Sequence, residues 1–128
     1  MSYYFSKSFS ADFEEAIDKV TQELQKEGFG VLTTINVKEA LKKKLDVDFR
    51  RYTILGACNP KFAYKALQAE DKIGTMLPCN VVVQELEDGR VEVAAIDPIA
   101  SMQAVANEGL GDTAKTVQGK LKKVIESL

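Results

Sequence analysis

Two hydrophobic periodicities alternate along the chain. Tyr3, Phe5 and Phe9 fall on one face of an extended segment, interrupted by Lys7, with Ser6 and Ser8 on the other face, which predicts a first strand. Phe13, Ile17, Val20 and Leu24 then recur at steps of four, three and four, so they form one stripe of a helix that Ser10 or Asp12 can cap and Gly28 can stop. After that glycine the period returns to two, with Phe29, Val31, Thr33 and Ile35 on one side of a strand that folds back in hairpin-like fashion. Residues 37–45 predict a short helix with Val37, Ala40, Leu41 and Leu45 inward and Lys38, Lys42, Lys43 and Lys44 outward. A strand over 49–58 follows, carrying Tyr52, Ile54 and Cys58 on one face.

Asn59-Pro60 reads as an N-cap followed by proline at the first helical position, so a helix runs from Pro60 to about Ala69. Val81–Leu86 and Arg90–Ile96 are β-rich and joined by Glu87-Asp88-Gly89, which predicts an antiparallel hairpin ended by Asp97-Pro98. A last helix over about 112–127 places Val117, Leu121, Val124 and Leu128 on one stripe. The sum is an α+β domain: one mostly antiparallel sheet of about five strands with helices packed mainly on one face.

Composition narrows this only modestly. The 128 residues, 45% of them hydrophobic and 28% charged, suit a single domain spanning 1–128 that buries roughly two-thirds of its unfolded surface. A net charge of −2 argues against a surface that embraces nucleic acid. No apolar run approaches the ~20 residues that span a bilayer, and no basic segment followed by a long apolar one opens the chain, so a cytoplasmic protein without membrane insertion is expected. The lysine-rich helix, with Arg50 and Arg51 nearby and Tyr52 able to stack on a base, is better read as a solvated face than as a phosphate-binding surface. Asn107 to Asp112, with two glycines among polar residues, reads as a loop before the last helix.

The candidate chemistry lies in two matched motifs, Cys58-Asn59-Pro60 and Pro78-Cys79-Asn80. If Asn59 caps a helix, Cys58 sits just before its N-terminus, where unpaired N–H groups and the positive end of the dipole favour a thiolate, with Lys61 acting in the same sense. Cys79 can meet it only if their strands are neighbours. The plainer alternative is that both are small buried apolar side chains, the common fate of a free cysteine. There is no histidine, so neither Ser-His-Asp nor Cys-His catalysis is available within the chain. Glu85, Glu87, Asp88 and Asp97 are turn or strand-end residues that form no acid–base pair. Two thiols without a CxxC spacing are an incomplete zinc set, although two thiolates could hold a soft ion such as Cu(I). Neither Gly28-Phe29-Gly30 nor Gly109-Leu110-Gly111 has the spacing of a phosphate cradle. No cofactor is implied.

The run Leu55-Gly56-Ala57-Cys58-Asn59-Pro60, the later Leu77-Pro78-Cys79-Asn80-Val81-Val82-Val83 and the closing Asp97-Pro98 resemble the bacterial domain-of-unknown-function family numbered 302. The resemblance extends over essentially the whole chain. It implies a small single-domain α+β fold related in outline to the TATA-binding-protein-like half-barrels, often dimeric, with no agreed activity. Three functions follow as expectations. The first is a non-enzymatic binding module for a small or lipid-like ligand, its concavity lined by Tyr52, Ile54, Cys58 and Val81. The second is a thiol-based redox or soft-metal-binding protein using Cys58 and Cys79. The third is a dimeric interaction protein, since an edge strand from Tyr3 to Phe9 bearing three aromatics needs a cover. The candidate ligand or thiol site is Tyr52, Cys58, Asn59, Pro60, Pro78, Cys79 and Asn80.

Overall fold

The computed structural model describes residues 2–128. Its elements run β1 (Tyr4–Phe9), α1 (Phe13–Lys26), β2 (Gly30–Asn36), α2 (Val37–Leu45), β3 (Tyr52–Cys58), α3 (Pro60–Ala69), β4 (Cys79–Glu85), β5 (Val91–Ile96), α4 (Pro98–Ser101) and α5 (Gly111–Glu126), with 3-10 turns at Ile73–Met76 and Glu108–Leu110. The strands form one sheet in the order β1-β5-β4-β3-β2, antiparallel throughout. The α+β architecture expected from the periodicities is therefore the one observed. The strand that follows Gly28 is an edge of the sheet opposite β1 and pairs with β3.

Alternation along the strands decides which face is covered. Leu55 stands opposite Val81, Val81 opposite Ala95 and Ala95 opposite Phe5, so one row crosses four strands on the helix side. Ala57, Val83, Val91 and Val93 join it, and α1 and α5 close over them with Phe13, Ala16, Val20, Leu24, Val117, Leu121, Val124 and Ile125. Each Val or Leu so buried contributes about 1.5–3 kcal/mol. Tyr52, Ile54, Val82 and Ala94 point the other way and stay half-buried. Val81 thus shares a face with Leu55 and not with Tyr52 and Ile54, so the concavity expected from those residues together does not exist.

Asp12 caps α1 through a hydrogen bond from the Glu15 N–H, 3.3 Å, and Gly28 ends the following turn at φ +87°. Phe5 and Phe9 of β1 pack on the chain's own core, while Tyr3 is 66% exposed. Two of the three edge aromatics therefore already have a cover. Lys7, on the same side as those phenylalanines, donates to the main-chain oxygens of Glu126 and Leu128, a cation at the C-terminal end of α5. The inward stripe predicted for α2 is only partly covered: Val37, Ala40 and Leu41 are half-buried and Leu45 is 66% exposed. This helix merely links the edge strand to β3. Two of its lysines hold the return of the chain, Lys38 donating to the Phe49 carbonyl at 2.7 Å and Lys42 pairing with Asp46 at 3.0 Å. β3 starts at Tyr52, later than predicted, and Arg50 before it stacks on Phe49 and Tyr52, 4.4 and 5.4 Å to the ring centres.

Gly56 in β3 is held tightly. A Cβ there would collide with the Thr33 hydroxyl and lie 2.8 Å from Cγ of Pro78. Gly56→Ala is expected to lose about 1–3 kcal/mol in urea unfolding, as overpacked sites do. Gly30→Ala, where a Cβ meets nothing within 4 Å, is expected to change stability by no more than about 0.5 kcal/mol. Equal effects at the two positions would contradict this packing.

Candidate functional site

Because β3 and β4 are neighbours with Ala57 opposite Cys79, the two thiols converge at one end of the sheet. Both are free, Cys79 buried and Cys58 half-exposed. They line a single pocket of about 40 Å³. Its floor is Ala57 and Cys79, and α3 and α5 wall it with Phe62, Ala63, Ala66, Ala114 and Val117. None of the lining residues is charged.

Asn59 stands at the N-cap position of α3, yet its side chain makes no capping hydrogen bond. Its Nδ2 instead donates to the Glu27 carbonyl at 3.2 Å, at the C-terminal end of α1. The next residue, Gly28, has positive φ, and a Cβ on it would sit 3.1 Å from that Nδ2, so glycine serves both the backbone conformation and the close approach. Asn59 is thus a clamp between two helix ends. Its main-chain oxygen accepts from the N–H groups of Phe62 and Ala63 at 3.1 and 2.9 Å, which starts α3 without the side chain.

The predicted site residues divide into those brought together and those left apart. Cys58, Asn59, Pro78 and Cys79 all line the pocket, and the Leu77–Pro78 peptide is cis. Pro60 occupies the first turn of α3 as expected but is exposed and outside the lining. Asn80 is exposed and belongs to an adjacent groove. Tyr52 lies at the far end of β3, six residues or about 20 Å from Cys58 at strand rise, and it carries the Arg50 guanidinium.

Sequence reasoning missed the helical walls. Leu110 and Ala114 extend the Val117, Leu121 and Val124 stripe about two turns towards the N-terminus, and that spacing was the available signal. The expected loop at 107–112 hid it. That segment is instead a short 3-10 turn anchored by Asn107, which donates to the Ala69 carbonyl at 2.7 Å and accepts from the Gly109 N–H at 2.9 Å. Asp97 does more than end β5: its Oδ1 accepts from the Ile99 N–H and from Gln118 Nε2, both at 3.0 Å, tying α4 to α5. Among the described residues, no three or more His, Cys, Asp or Glu side chains cluster as a metal site would require.

Burial pushes the Cys79 thiol up to about 11, and the neighbouring Cys58 adds to the rise. Cys79 is therefore a neutral thiol at physiological pH.

The profile of the family described as "Domain of unknown function DUF302" matches residues 5–128. A solved structure of an uncharacterized conserved DUF302 protein from Bacillus stearothermophilus is similar with a TM-score of 0.90 and 27% sequence identity, covering 98% of each chain. No curated protein matches the chain. No helix of the described residues is long and apolar enough to cross a membrane.

The raised Cys79 pKa sets the sign of an alkaline instability. Below about pH 9 the thiol is protonated in both folded and unfolded chains and its contribution is constant. From about 9 to about 11 the unfolded chain ionises first, so up to about 2–3 kcal/mol of stability is lost. Cys79→Ala is expected to flatten that part of the stability–pH curve measured by urea unfolding. An unchanged decline in the variant would refute the assignment.

Proposed function

The chain belongs to the DUF302 family, and from that premise we propose that it is a non-enzymatic binding module whose small ligand seats in the apolar pocket between the sheet end and α3 and α5. The observation that carries this reading is the pocket itself, uncharged throughout and about 40 Å³ in volume. Four alanines in the lining, Ala57, Ala63, Ala66 and Ala114, leave that space where larger side chains would close it. The volume suits a small apolar group, and a whole lipid chain exceeds it.

A second reading is supported by the presence of both thiols in the same lining. Cys58, the more exposed, would attack a disulfide substrate and release one thiol. Cys79 would then attack the mixed disulfide and release the second, leaving a Cys58–Cys79 bridge and balancing the two electrons. A soft-ion site needs both thiols ionised, which burial opposes at Cys79. Assembly into a dimer is a third reading, supported by the half-buried apolar face of Tyr52, Ile54 and Val82 and by exposed Ile35; a purely monomeric light-scattering profile at micromolar concentration would count against it.

Dissolved xenon tests the first reading, because it probes small apolar spaces without needing a polar partner. Methyl NMR is expected to shift at Ala57, Ala66 and Ala114 on xenon addition, in the wild type and equally in Cys58→Ser. Ala114→Leu is expected to abolish those shifts. Absence of any shift in the wild-type protein would overturn the binding reading, and a thiol–disulfide exchange activity abolished by Cys58→Ser would move support to the second.

A further inference from the structure

Leu77, Pro78, Cys79 and Met102 line the pocket and also line a second, more open groove of about 280 Å³ completed by Thr75, Met76, Asn80, Ile96 and Ser101. These four residues are thus a shared wall between the two spaces. Met102 is its adaptable member. It is half-buried at the C-terminal end of the one-turn helix α4, and its unbranched side chain has three rotatable bonds. Together the two spaces amount to about 320 Å³, the lower end of the range for small-molecule sites.

The chemistry of the joined space is selective. No charged residue lines either part, so nothing there pairs with a carboxylate or phosphate. The groove's polar groups are Thr75, Asn80 and Ser101. The Thr75 hydroxyl already donates to the Lys72 carbonyl at 2.9 Å, and the Ser101 hydroxyl to the Pro98 carbonyl at 3.2 Å. The hydrogens of both hydroxyls are engaged and their lone pairs are free, while the exposed Asn80 amide brings both donors and an acceptor. A head group that both donates and accepts, as a hydroxyl does, suits all three. Resting on the pocket reading above, we infer that Met102 is a gate between pocket and groove, and that the site takes a neutral medium-chain amphiphile of the alcohol class. Its apolar end enters beside Cys79 and its hydroxyl lies against Ser101 and Thr75.

The test uses the full chain with 1-octanol and octanoate in isothermal titration calorimetry, with Met102 methyl NMR and the rate of Cys79 alkylation in the Cys58→Ser background, at alkaline pH, as further readouts. The inference predicts that 1-octanol binds at least tenfold more tightly than octanoate, shifts the Met102 methyl and slows alkylation of Cys79. Ser101→Ala is expected to weaken octanol binding about fivefold by removing one acceptor. Met102→Trp is expected to abolish octanol binding while xenon still enters the inner pocket. Octanoate binding as tight as octanol, or octanol binding unchanged in Met102→Trp, overturns the inference. So does failure of octanol to bind a protein that still takes up xenon, and that outcome leaves the inner-pocket reading standing. Failure of both probes overturns the two together.

Discussion

The register between β3 and β4 is the constraint on which the remainder depends. With Leu55 opposite Val81 and Ala57 opposite Cys79, the apolar residues of both strands meet α1 and α5, and the two cysteines reach the same sheet end. A slip of one residue would turn Val81 and Val83 away from the helices and carry Cys79 off the pocket floor. Burying the Leu55, Val81 and Ala95 row is therefore also what assembles the site. Packing energy and site geometry are the same interaction seen from two sides.

Two close contacts hold the ends of that pair in place. Asn59 bridges to the Glu27 carbonyl, fixing the start of α3 against the end of α1, and Gly28 leaves room for it. Gly56 lets Thr33 and Pro78 approach across β3. The Asn59 bridge adds little beside core burial, since one neutral hydrogen bond contributes only about 0.5–1.5 kcal/mol. The effect of both contacts is positional: they determine where Cys58 and Pro78 stand relative to the alanines of α3 and α5. The same environment makes the two thiols unlike, one half-exposed and one buried and held neutral.

Much of the fold was legible in the sequence. The Phe13, Val20, Leu24 stripe, the Glu87-Asp88-Gly89 turn and the Asn59-Pro60 helix start are local signals, and each produced the expected element. Strand order is not local: the strand after Gly28 formed as expected, but nothing in residues 29–35 says which strand they pair with. Leu45 shows a second limit: periodicity marks a stripe but not whether a layer lies against it, and α2 has little to cover it. At the site, the convergence of Cys58 and Cys79 was conditional on strand neighbours, and the structure supplies that condition. Tyr52 stands apart from the thiols because a shared strand face says nothing about distance along the strand. Asn59 was assigned the cap typical of its type, whereas tertiary contact with Glu27 redirects its amide.

Native mass spectrometry of freshly purified, undenatured protein tests the central claim most directly, that strand register builds an uncharged pocket which holds a small molecule. The account predicts a retained organic mass on the wild-type chain that is missing from Ala114→Leu, in which the pocket is filled. A bare protein mass under conditions that preserve the fold, or an adduct equally retained by the filled variant, would contradict it.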